Sequence, residues 1–181
     1  MHHIFIYALP TSQEKDARIS EIAAVRVPGF GPYKKTHIQE AFFDTSSNVN
    51  LLNELYSRLI PNADPFIMVS YSKEVTRALL RIETEKRGIE DKFSGRAWLD
   101  IGDLAWPLLV SGQIKSRSIE ALASHFEITV KADMDSADTV TALLQIYGNM
   151  LRRYSTALKG ESMLREAGGE TLAGLREIIG F

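Results

Sequence analysis

Three carboxylates fall close together in the chain: Asp133, Asp135 and Asp138. Carboxylate oxygens are the hard ligands that magnesium prefers, so the cluster is a candidate cation site. The same acids suit the start of a helix, where a side-chain oxygen caps free N–H groups and negative charge meets the positive end of the dipole. Lys73, Arg77 and Arg81 recur at every fourth position. On a helix that spacing lines three cations along one face, where they could meet phosphates. A solvated face, diluted here by Glu74, Glu83 and Glu85, has the same pattern. Tyr7 and Tyr71 could stack on bases or simply fill space.

Other chemistries lack their residues. There is no cysteine, hence no thiolate nucleophile, zinc–thiolate site or disulfide. No Gly-x-Ser-x-Gly elbow supports a hydrolase triad. Gly29-Phe30-Gly31 lies between strand-like segments rather than before a helix, so it is not a phosphate loop. His37 and His125 stand apart from any acid or nucleophile cluster. The chain has 181 residues, 45% hydrophobic and 24% charged, which is the mix of a soluble globule and enough for a sizeable core. Lys and Arg number 21 against 23 Asp and Glu, a net charge of −2. No general positive field is available, so binding to a nucleic-acid backbone would need a local patch. No apolar run approaches the roughly 18 residues that span a bilayer, and no export signal is legible. The expected location is cytoplasmic.

The elements that must position these groups follow from periodicity. Residues 4–9, 18–27 and 36–43 read as three strands joined by short turns, an antiparallel meander. Apolar residues from Val49 to Ile60 then follow a 3.6 period and stop at Pro61. Phe66-Ile67-Met68-Val69 is a short, fully apolar strand of the kind buried in a parallel sheet. Residues 72–87 are helical and end at Gly88. Ala97-Trp98-Leu99 is a further strand. Helices are expected over 104–110, 118–126, 136–158 and 161–178. The order predicts a mixed sheet flanked by helices. Residues 1–158 form the domain, and 159–181 a helical extension packed on it, with a dimer or partner-binding helix as the alternative.

On these elements sit four segments that resemble a known family. Trp98-Leu99-Asp100-Ile101-Gly102-Asp103-Leu104-Ala105 is similar to the W-x-D-T-x-x-L-A strand–helix of DEDD-type 3′–5′ exonucleases, the DnaQ-like members of the RNase H-like superfamily. Ser118-Ile119-Glu120-Ala121-Leu122-Ala123-Ser124-His125-Phe126-Glu127-Ile128 resembles their S-L-D-A-L-A-x-x-F-G-I helix. Ser136-Ala137-Asp138-Thr139-Val140-Thr141-Ala142 resembles D-D-A-x-A-T-A, and Arg18-Ile19-Ser20-Glu21-Ile22 the second strand, R-I-I-E-I. The resemblance implies a five-stranded mixed sheet and two-metal phosphodiester hydrolysis, for which about four carboxylates and a histidine base are needed.

Aligned on this resemblance, the catalytic positions read Ala8, Pro10, Thr76, Asp133 and Asp138. Only Asp138 keeps its acid, and one carboxylate cannot gather two dications. Asp100 also matches, in a position that supports the fold. The expectation is an exonuclease-like domain without its two-metal site, non-catalytic, binding single-stranded nucleic acid or a protein partner, with Lys73, Arg77 and Arg81 as phosphate contacts. No cofactor is expected. The alternative is an active exonuclease with rearranged ligands, using Mg or Mn at Asp138. An oligomer is compatible with either reading, and neither involves a membrane.

Overall fold

The computed structural model describes residues 2–12, 17–29, 33–45, 48–60 and 65–166, with side chains as far as residue 157. Five strands, β1 (His2–Pro10), β2 (Ile19–Pro28), β3 (Glu40–Thr45), β4 (Phe66–Ser70) and β5 (Trp98–Asp100), form one sheet in the order β3-β2-β1-β4-β5. β1 pairs antiparallel with β2 and parallel with β4; β2–β3 is antiparallel and β4–β5 parallel. The mixed sheet expected from the sequence is therefore present.

Alternation along β1 sorts the two faces. Phe5 and Tyr7 join Val25, Val69, Leu143 and Tyr147 beneath α6 (Ser136–Glu166). Ile4, Ile6 and Ala8 join Ile22, Met68, Leu52 and Leu80 beneath α1 (Leu51–Leu59) and α2 (Lys73–Arg87). β1 is thus buried on both sides, which explains its near-continuous apolar run. Each fully buried Ile or Leu of these layers contributes roughly 1.5–3 kcal/mol. α2 ends where the sequence says it must: Gly88 takes φ 62° and its N–H and that of Ile89 close the last turn.

Three elements differ from expectation. The third strand begins at Glu40, and Lys35–His37 is a 3-10 turn. The strand opens on the exposed Glu40, because an edge strand tolerates polar side chains turned to solvent. The segment expected as one helix over 104–110 is two, α3 (Ile101–Leu104) and α4 (Trp106–Val110), with Pro107 in the first turn of the second. α5 is Ile119–His125. α6 runs unbroken across the expected boundary at 158/159 to Glu166. Residues 167–181, and the packing expected of them, lie outside the described residues. None of the described helices is long and apolar enough to cross a membrane.

Candidate functional site

The last helix begins at a defined cap. Asp135 Oδ1 accepts the N–H of Asp138 at 2.7 Å, and the Asp135 carbonyl receives the N–H and hydroxyl of Thr139. The helix-start reading of the acidic cluster is the one this geometry carries. Asp138 itself is partly exposed and accepts from the Lys131 ammonium at 2.8 Å. Hydrogen bonding to that carboxylate raises the Lys131 pKa above its ordinary value. Asp133 is exposed on the preceding loop. The first-turn residue turned inward is Ser136, fully buried, whose N–H donates to Glu21 Oε2 at 3.3 Å.

This geometry separates residues that the resemblance placed together. Ala8 lies in the apolar layer under α1 and α2, on the opposite side of the sheet from α6. Its side chain and that of Asp138 are not brought together. Pro10 sits at the irregularity that ends the β1–β2 pairing. By alternation, the β1 residues that face α6 are Phe5, Tyr7 and Leu9, and Leu9 pairs with Glu21. Leu9 and Glu21 therefore share the α6 face of the sheet, and Glu21 reaches the Ser136 N–H at the start of α6. In the sequence, Asp135-Ser136-Ala137 also fits the D-D-A of the motif, a register two residues earlier that sets Ser136 against its second acid. Glu21 lies within the second-strand motif, and nothing in its spacing shows that it faces Ser136.

Thr76 is 1% exposed, and its hydroxyl lies 3.0 Å from that of Ser70. It is a satisfied interior group, not an open ligand position. Two dications would need several carboxylates directed at one point. The residues present do not fit: Tyr7 and Leu9 carry no acid, Glu21 is engaged by Ser136, and Asp138 by Lys131. Among the described residues no three His, Asp or Glu side chains are grouped to hold a metal ion.

Beside this region, at the ends of β4 and β5, a polar cleft of about 350 Å³ is lined by Tyr71, Ser72, Asp100, Gly102, Asp103 and Arg117, among others. Ser72 is left-handed, φ 56° and ψ 57°, a strained conformation for a serine. Asp100 is fully engaged. Its Oδ2 accepts the Lys73 N–H at 2.7 Å and its Oδ1 the Gly102 N–H at 2.8 Å, so one carboxylate caps α2 and α3 together. Asp103 pairs with Lys73 at 3.2 Å. Burial, then mutual proximity, then Glu120, hold the Tyr7 phenol above its ordinary pKa. Burial, then Glu120 and Asp100, do the same for Tyr71. Both phenols are therefore protonated at neutral pH. The cleft offers hydroxyl and amide dipoles and no free carboxylate pair; it can bind polar groups but holds no hydrolytic constellation.

The cation stripe divides. Lys73 turns to Asp103 at this cleft. Arg77 and Arg81 line a different groove on the opposite sheet face, each with one loose, exposed ion pair: Glu74 at 3.8 Å and Glu85 at 3.8 Å.

No family model matches the sequence, and none of the curated proteins searched matches it. Solved structures do. The chain is similar to the nuclease domain of 3′hExo, a DEDDh family member bound to rAMP, at 11% identity and TM-score 0.63, covering 84% of this chain and 92% of that one. A full-length 3′-exonuclease is similar at 11% identity and TM-score 0.64, covering 84% and 82%. The ExoI chain of an ExoI/SSB-Ct complex is similar at 11% identity and TM-score 0.56, covering 84% of this chain and 42% of that one. At this identity the likeness is one of fold: the chain has the RNase H-like fold of DEDDh 3′-exonucleases.

Proposed function

We propose that this chain is a non-hydrolytic member of the exonuclease-like fold that binds single-stranded nucleic acid. One observation carries the loss of hydrolysis. On the α6 face of β1 the side chains are apolar or phenolic, Phe5 and Tyr7, and the acids Glu21 and Asp138 are held by the Ser136 N–H and the Lys131 ammonium. Without clustered carboxylates the electrostatic support for two adjacent dications is missing. Support for the ligand class comes from the fold's neighbours, one of which is bound to rAMP, and from the arginines left with only loose ion pairs.

The test is a nuclease assay on single-stranded DNA and RNA with Mg or Mn, alongside filter binding of the same strands. Binding without release of nucleotides is expected. Metal-dependent turnover that disappears in Asp138→Ala would overturn the non-hydrolytic reading and favour rearranged ligands. Absence of binding at low salt would overturn the nucleic-acid reading and make a protein partner the better account.

A further inference from the structure

The groove on the α2 side of the sheet has no part in the region under α6. It measures about 230 Å³; Leu80 and Phe93 form its floor, Trp98 one wall, and Arg77 and Arg81 another. The Arg77 guanidinium stands 6.0 Å from the Trp98 ring centroid. The indole is fixed, because its N–H donates to the Phe93 carbonyl at 3.2 Å. The loop that forms the far rim is rigid too: Asp91 Oδ1 accepts the N–H groups of both Phe93 and Ser94. The same loop brings two more cations, Lys92 over the Tyr56 ring and Arg96 over the Phe66 ring.

The charge of this stretch is opposite in sign to that of the whole chain. Residues 73–98 hold seven Lys and Arg against five Asp and Glu, a local +2 in a chain of net −2. Lys73 and Arg87 are engaged by Asp103 and Glu83. Of the acids, Glu83 is buried, and Asp91 already accepts two amides at Oδ1. Glu74 and Glu85 oppose the patch only through 3.8 Å contacts at exposed positions, which are worth little. Guanidiniums one helical turn apart, beside a fixed partly exposed indole, are the two parts of a single-strand site: cations that follow the backbone and an aromatic face that takes a base.

We propose that this groove, and not the cleft at the strand ends, is where the chain holds single-stranded nucleic acid, with a base on Trp98 and phosphates on Arg77, Arg81 and Arg96. The inference rests on the nucleic-acid reading above and adds its location. It also predicts independence from divalent ions, since only fixed cations meet the phosphates.

The experiment uses the full chain carrying Trp106→Phe, which leaves Trp98 as the only tryptophan. An oligothymidylate of about 12 nucleotides, within the span of single-strand sites, is titrated in with EDTA present. Quenching of Trp98 is expected. Log K should fall with log salt by roughly 0.7 per phosphate met, so by about 2.1 for three. Arg77→Glu with Arg81→Glu should weaken binding of the labelled strand at least tenfold and flatten that slope, with the circular dichroism unchanged because both side chains are solvent-facing. Trp98→Phe should keep most of the affinity and Trp98→Leu should lose about tenfold. If wild type binds and the double charge reversal binds equally, the location is wrong while the nucleic-acid reading stands. If wild type does not bind at low salt, both fall.

Discussion

The Lys131 ammonium sits 2.8 Å from the Asp138 carboxylate in the first turn of α6. An acid that the resemblance assigns to a metal is here neutralised by the chain's own cation. The pair is exposed on the lysine side, so its worth lies in what it prevents more than in stability.

Divalent ions should therefore leave the protein unmoved. A ligand present at a hundred times its Kd raises stability by about 2.7 kcal/mol. Thermal denaturation with millimolar Mg or Mn should show no such rise, in wild type or in Asp138→Asn. A metal-dependent increase in Tm that Asp138→Asn removes would mean that the pair opens to admit an ion.

Glu83 is the most demanding carboxylate in the fold. It is 1% exposed and receives Arg18 Nε and Nη2 at 2.9 and 2.8 Å and Arg87 Nε at 3.0 Å. Burial alone would raise its pKa, but the hydrogen bonds and charges of both arginines outweigh this and hold it below the ordinary value. A depressed carboxyl stabilises above its unfolded pKa and loses that contribution as pH falls through the folded value. Glu83→Gln should cost about 2–3 kcal/mol at pH 7, the low end for a broken buried pair because the Arg18 side chain is 39% exposed. Urea unfolding from pH 7 down to about 2.5 should show the variant's deficit constant above the ordinary value of 4.5 and shrinking below it. A deficit constant over the whole range would point to packing rather than charge.

His3 should give stability a second pH dependence. Tyr33 donates its hydroxyl proton to the Gly29 carbonyl at 2.9 Å, so the Nδ1 of His3, 2.6 Å from the Tyr33 oxygen, must be the donor in that contact. The rest of the ring packs against Tyr147. Burial lowers the His3 pKa from its ordinary 6.5. The unfolded chain then binds the proton first, so stability is complete above pH 6.5 and declines as pH falls below it. His3→Phe should remove that decline between pH 6.5 and 5, at the cost of an unmet Tyr33 oxygen. An unchanged slope would place the titration elsewhere.

Glu127 follows α5 with φ 56°, where the resembling motif has glycine. A left-handed conformation costs a side-chain-bearing residue roughly 1–2 kcal/mol, partly offset by the greater unfolded-chain freedom of glycine. Glu127→Gly should raise stability by about 0.5–1 kcal/mol, measured by urea unfolding. A loss would show that the carboxylate makes a contact worth more than the strain.

The sheet and most helices were legible because their signals are local: β-branched runs, a 3.6 period, Gly88 as a stop. The site was less so. A strand's side chains alternate faces, so a slip of one residue exchanges Ala8 for Tyr7 and moves the assignment through the sheet. Likewise, two residues along α6 separate buried Ser136 from Asp138, which pairs with Lys131. Lys73, Arg77 and Arg81 looked like one stripe from spacing alone. Only the position of α3 shows that Asp103 draws Lys73 away from the other two.

Asp100 gives the molecule a common pivot. Its two oxygens fasten the first turns of α2 and α3 to the end of β5, and Arg117 rests on the carbonyl of the same Gly102 at 3.2 Å. The two recesses of the protein, on opposite faces, therefore share one anchoring side chain.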